Sequence, residues 1–192
     1  MLRTGLFLMA LGGLLWSTPA LRAEGLKKGD KAPSFTVKDD TGADWKSSDH
    51  FGKKIVVIYF YPADMTGGCT KQACGFRDDM SALTDLGVEV VGVSGDTVEN
   101  HQLFKKEKDL NFPLLADTEA VVATAFGVPY TPGAKSVTVE IGGEQKTLTR
   151  ALTTKRWTFV VDADGNIAYK DEMVAAATDS KRIAEVVKSL KN

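Results

Sequence analysis

The chain is poor in cysteine and histidine, with two of each among 192 residues. Two cysteines are too few to build a disulfide-stapled scaffold. His50 and His101 stand far apart with no paired-cysteine motif beside them, which makes a poor metal-ligand set. No cofactor and no metal is expected. Charge of one sign is missing as well: 24 Lys and Arg face 25 Asp and Glu, mixed along the chain, for a net charge of −1. No basic stripe invites nucleic acid, and no acidic tail marks a solvating segment. Internal repeats and low-complexity linkers are absent. The length is too short for an eight-unit α/β barrel but ample for one domain with a sizeable core.

Apolar runs long enough to cross a bilayer are lacking too. Gly5 to Trp16 is almost wholly apolar but is only about a dozen residues, too short to span comfortably. Arg3 precedes it, and the small residues Ser17, Thr18, Ala20 and Ala23 follow. Residues 1–23 therefore read as an export signal, cleaved after Ala20 or Ala23, with an uncleaved anchor as the alternative. Thr18-Pro19-Ala20 has the better small residue at the −3 position. No cysteine follows the run, which argues against a lipid anchor. Export leads to a periplasm if the source is bacterial, an oxidising compartment that permits a disulfide.

Residues 24–192 alternate between strand and helix patterns. The stretch 27–49 is polar with isolated Phe35, Val37 and Trp45 and a turn at Asp39–Gly42, suiting a small hairpin or edge strands. Residues 54–61 are apolar on both faces, as in a central strand covered by helices. Ala73, Phe76, Met80 and Leu83 then recur at helical spacing, and Gly87 can end that helix. A second apolar strand spans 88–94. A helix with Val98, His101, Leu103 and Phe104 inward covers 97–109. A short strand is expected at 112–115 and a short helix at 119–126. Residues 157–162 and 166–169 read as a hairpin around Asp162-Ala-Asp-Gly165, and the last helix carries Ile183, Val186, Val187 and Leu190 on one face. This order matches a thioredoxin-like α/β domain with a central mixed sheet flanked by helices. Residues 130–154 interrupt it. Their polar alternation reads as a surface hairpin excursion without chemistry of its own.

The two cysteines sit in Pro62-Ala-Asp-Met-Thr66-Gly-Gly-Cys69-Thr-Lys-Gln-Ala-Cys74, between the central strand and the helix. A thiol reacts as thiolate. The first turn of a helix offers its sulfur backbone N–H groups and the positive dipole end, and this placement is expected to expose it and lower its pKa. Thr66 either donates to the sulfur or a bound oxygen, or serves as a plain N-cap. Arg156, just before the strand 157–161, is the favoured guanidinium. Arg77 lies two turns into the helix and reads as structural. A thiolate attacking a peroxide O–O bond needs such donors where charge builds on the leaving oxygen. The resulting sulfenic acid condenses with a second thiol, here Cys74.

Spacing sharpens this. Residues five apart in an ideal helix have Cα atoms roughly 8.5 Å apart, whereas a disulfide needs about 4.4–6.8 Å. Pairing of Cys69 with Cys74 therefore requires the first helical turns to unwind.

At these residues the chain resembles the peroxiredoxins of the bacterioferritin-comigratory or peroxiredoxin Q type. Pro62, Thr66 and Cys69 stand at the spacing of that family's Pro-x-x-x-Thr-x-x-Cys signature, and Cys74-Gly-Phe76-Arg77-Asp78 continues the match. The likeness runs on through Val91–Asp96, His101, Phe104, Leu110–Asp117, Ala125–Val128 and Arg156–Asp162. The resemblance implies reduction of hydrogen peroxide and organic hydroperoxides. It implies a peroxidatic Cys69, a resolving Cys74, and a peroxide site shaped by Thr66, Arg156 and Pro62. It also implies a thioredoxin-like dithiol reductant, and a monomer or weak dimer suffices for an intramolecular resolving cysteine. Gly67 departs from the proline common there, and the stretch 128–156 is longer than usual. The rival readings are an exported thioredoxin-like thiol–disulfide oxidoreductase or copper carrier of the same fold, and a non-catalytic binding module. The first normally uses Cys-x-x-Cys, and the carrier needs a remote histidine absent here.

Overall fold

The computed structural model describes residues 25–191, and the expected export signal with its cleavage sites lies outside them. An antiparallel pair opens the chain, β1 (Thr36–Asp39) and β2 (Asp44–Lys46). The Asp39 carboxylate shapes their turn by accepting from the Thr41 and Ala43 amides. The central strand β3 (Ile55–Phe60) is buried at every position, as its apolar run on both faces requires. Helix α1 (Gly67–Asp85) follows and ends where Gly87 takes φ 69°, a left-handed turn that a side chain would strain.

Next come β4 (Val88–Ser94) and α2 (Val98–Lys108), the latter capped by the Thr97 hydroxyl accepting from Asn100 N. Strand β5 (Leu114–Ala116) starts later than expected, because Pro113 has no N–H to give to a ladder. Helix α3 (Val121–Phe126) also starts two residues late. The Asp117 carboxylate accepts from Val122 and Ala123 N–H, so the helix begins where those amides are satisfied. A long hairpin, β6 (Tyr130–Ile141) and β7 (Glu144–Thr154), precedes β8 (Trp157–Val161), β9 (Ile167–Asp171) and α4 (Asp179–Leu190).

Seven strands form one mixed sheet in the order β2-β1-β5-β4-β3-β8-β9, parallel at β3/β4 and β4/β5 and antiparallel elsewhere. This is the mixed sheet flanked by helices that the alternation predicted. Tyr59 and Tyr61 face α1, α2 and α4 through Phe76, Leu83, Phe104, Ile183 and Val187. Ile58 and Phe60 face α3 and the N-terminal hairpin through Phe126, Phe35 and Trp45. Among the described residues no helix is long and apolar enough to cross a membrane.

The excursion at 130–154 is a separate two-stranded sheet, yet its return strand is not merely surface. Leu148, Leu152 and Thr154 are buried. Ala151 N donates to Gly95 O, and the Thr154 hydroxyl donates to Tyr61 O. Gly95 makes the approach possible, since a Cβ there would stand 2.5 Å from the Leu152 carbonyl oxygen. The hairpin base is thereby locked beside the chain leaving β3.

Candidate active site

The chain leaves β3 at Tyr61, passes through residues 62–66, and enters α1 with Thr66 as N-cap in an extended conformation. Met65 adopts φ 62°, a left-handed conformation that a non-glycine residue holds only where its surroundings impose it. Cys69 is the third residue of the helix, so its sulfur sits in the turn whose amides lack intrahelical partners. Both thiols are free.

Arg156 stands in the two-residue link between β7 and β8. Its Nη2 donates to Cys69 Sγ at 3.2 Å. Its Nη1 donates to Gln72 Oε1. The Gln72 amide nitrogen then donates to Asp179 Oδ2 at 2.7 Å, and the Thr158 hydroxyl donates to the same oxygen at 2.8 Å. Four elements thus aim one guanidinium: α1 through Gln72, β8 through Thr158, α4 through Asp179, and the hairpin base that carries Arg156. Burial pushes the Asp179 carboxyl above its ordinary value, while the Gln72 and Thr158 hydrogen bonds pull the other way without cancelling it. Beside Arg156 a cleft of about 260 Å³ opens between Pro62, Pro129, Tyr130, Thr131, Thr153 and Thr154.

Cys69 is only 2% exposed, packed with Tyr59, Tyr61, Ala73 and Phe76. The expected exposure is corrected: at the third helical position the side chain turns in toward Tyr59 and Tyr61 rather than out to water. The sulfur is thus desolvated, held by a guanidinium and shielded from bulk solvent.

Thr66 is also corrected in part. Its hydroxyl donates to the Ala63 carbonyl at 3.0 Å, neither to the sulfur nor in exchange for a helix amide. In this state it braces the loop. Pro62 forms one wall of the cleft. Cys74 is half-buried on a groove with Lys71, Asp78, Asp79, Ser180 and Lys181. Arg77 is tied to Asp78 and to the Lys108 carbonyl, the structural part expected of it.

Sequence reasoning missed Gln72 and Asp179. Gln72 carried a signal, since a residue three after Cys69 shares its helical face. Asp179 carried none, because 107 residues separate it from the partner that it binds.

A thioredoxin-like sheet with a thiol at a helix mouth, held by an arginine from the link before β8, defines a thiol peroxidase of the peroxiredoxin class. The chain belongs to the AhpC/TSA family, which residues 28–170 match. It is 37% identical over 164 residues to peroxiredoxin Bcp of Bacillus subtilis, covering 85% of this chain and 94% of that protein. It is 50% identical over 102 residues to the chloroplastic peroxiredoxin Q of Sedum lineare, covering 53% and 54%. Among solved structures it is similar to the peroxidoxin BcpB of Mycobacterium tuberculosis, with a TM-score of 0.72 and 28% identity over 87% of this chain and 99% of that one.

Proposed function

We propose that this peroxiredoxin reduces hydrogen peroxide and organic hydroperoxides at Cys69 and resolves the product with Cys74. The Cys69 thiolate attacks the terminal oxygen of ROOH. The O–O bond breaks, an S–O bond forms, and ROH leaves after taking up a proton. Arg156 assists because its donors favour the thiolate and lie where the leaving oxygen gains charge. Cys69 sulfenic acid then condenses with the Cys74 thiol, forming the disulfide and releasing water. A thioredoxin-like dithiol returns both thiols by exchange. Pro62 and Thr66 shape the loop around the peroxide, and the adjoining cleft takes the organic group of larger substrates. A monomer suffices, since both sulfurs belong to one helix.

The observation that carries this reading is the 3.2 Å approach of Arg156 Nη2 to Cys69 Sγ. The test is to mix reduced protein with stoichiometric hydrogen peroxide and count free thiols over seconds. Wild type loses two thiols, and Cys69→Ser loses none. Slow loss in both would favour an exported thiol–disulfide oxidoreductase or a scaffold instead. We propose export as well, supported by Arg3, the short apolar run and the small residues after it. Fractionation of source cells should place a chain shortened by about 20 residues outside the cytoplasm.

A further inference from the structure

Behind the loop 62–66 lies a buried polar cluster that the chemistry above does not use. Asp64 is fully buried. Its Oδ1 accepts from the Tyr61 hydroxyl at 2.7 Å, and its Oδ2 pairs with His101 Nδ1 at 2.8 Å. Its amide donates to Asp96 Oδ2 at 3.0 Å. Asp96 is held in turn by the Ser94 hydroxyl and by Asn100, whose amide nitrogen also reaches the Thr149 carbonyl of the hairpin. One residue of the loop is therefore bound at once to Asp96 in the link between β4 and α2, to His101 of α2, and to Tyr61 just past β3. His101 is fully buried with it. A polar cluster held inside the core, where apolar side chains would pack without the desolvation cost, has a role other than filling it.

Geometry supplies the role, provided Cys69 and Cys74 act as proposed above. Helix α1 is continuous from Gly67 to Asp85, and a disulfide across five residues of it is out of reach. Downstream the helix is anchored by Phe76 and Leu83, both fully buried. Unwinding must then begin upstream, at the segment that Asp64 holds. Met65, next to Asp64, already sits in a strained conformation that release would relax.

We propose that Tyr61, Asp64 and His101 form a latch on this loop, holding it in the peroxide-reactive form and releasing it for disulfide formation. They are positioning residues that set how oxidised Cys69 partitions. Released promptly, the sulfenic acid meets Cys74 and loses water. Held, it meets a second ROOH, which transfers an oxygen to give the sulfinic acid and ROH.

Single-turnover oxidation of reduced protein tests this, with disulfide and sulfinic acid followed by mass spectrometry at rising hydrogen peroxide. Tyr61→Phe keeps the ring against Tyr59 and Phe104 and removes one bond of the latch. It should form the disulfide about tenfold faster and need about tenfold more peroxide for equal sulfinic acid. His101→Gln should shift the same ratio in the same direction. A variant with lower thermal stability but an unchanged ratio would make the cluster structural and overturn the proposal. Wild type supplies a second reading that no folding defect can obscure. The Asp64 amide should be protected from hydrogen exchange in the dithiol form and lose protection in the disulfide form; retained protection refutes the latch. Wild type that consumes no peroxide would instead refute the proposed function itself.

Discussion

Replacing Arg156 is the most demanding test of the site. The guanidinium makes two directed bonds, one to Cys69 Sγ and one to Gln72 Oε1. A hydrogen bond to a charged group is worth about 1.5–3 kcal/mol, hence about tenfold to a hundredfold in rate. Losing a donor at the oxygen that gains charge costs roughly a further 10²–10³ in rate. Arg156→Ala should therefore slow peroxide consumption by about 10³-fold or more. Arg156→Lys keeps the charge, but an ammonium cannot span Gln72 and the sulfur as a planar fork does, and a loss of about 10² is expected. Gln72→Ala removes one anchor while leaving both donors, for a loss of about tenfold. The decisive comparison is the double variant. If Gln72 acts only through Arg156, Gln72→Ala adds nothing once Arg156 is alanine. The assay is the second-order rate of hydrogen peroxide loss against reduced protein, with far-UV dichroism confirming the fold. An Arg156→Ala rate within about threefold of wild type, or fully additive losses in the double variant, would refute the reasoning.

Other consequences follow from the surroundings. Tyr130, 41% exposed on the cleft, should matter only for bulky substrates: Tyr130→Ala should lower kcat/KM for cumene hydroperoxide roughly tenfold and leave hydrogen peroxide unchanged. Leu152→Ala opens a cavity under the hairpin and should cost about 2–5 kcal/mol in urea unfolding. Gly95→Ala sets a Cβ against the Leu152 carbonyl and should cost about 1–3 kcal/mol by the same measurement. His101 gives a pH dependence. Burial opposes its charge, but Asp64 and Asp96 outweigh burial and the net shift is upward from 6.5. A raised folded value favours the protonated ring in the native state. Its stabilisation is complete below 6.5 and is lost as pH rises through the folded value. Tyr61, Asp64 and Asp96 are the titratable groups facing it, and burial pushes Asp96 upward as well. The urea midpoint of wild type should therefore fall more from about pH 6 to pH 9 than that of His101→Gln. Equal slopes would deny His101 this part.

Much of the architecture was legible because its cues are local. The apolar run before Tyr61 announces a strand covered on both faces, the spacing of Ala73, Phe76 and Leu83 announces a helix, and Gly87 its end. The edges at β5 and α3 slipped by two residues, where Pro113 and the Asp117 carboxylate decide the start. The excursion was read as polar surface, since alternation along one strand does not reveal which face meets Gly95.

From residue order alone came the helix-mouth placement of Cys69, the five-residue interval to Cys74 that an intact helix cannot bridge, and the choice of Arg156 over Arg77. Each depends on rise per residue, helix polarity or position beside a strand, and these are properties of short segments. Tertiary structure decided what Arg156 leans on, how deeply Cys69 lies, and that Asp64 meets His101. Those contacts join segments dozens of residues apart, and hydrogen-bond direction and burial exist only once the sheet has brought such segments together.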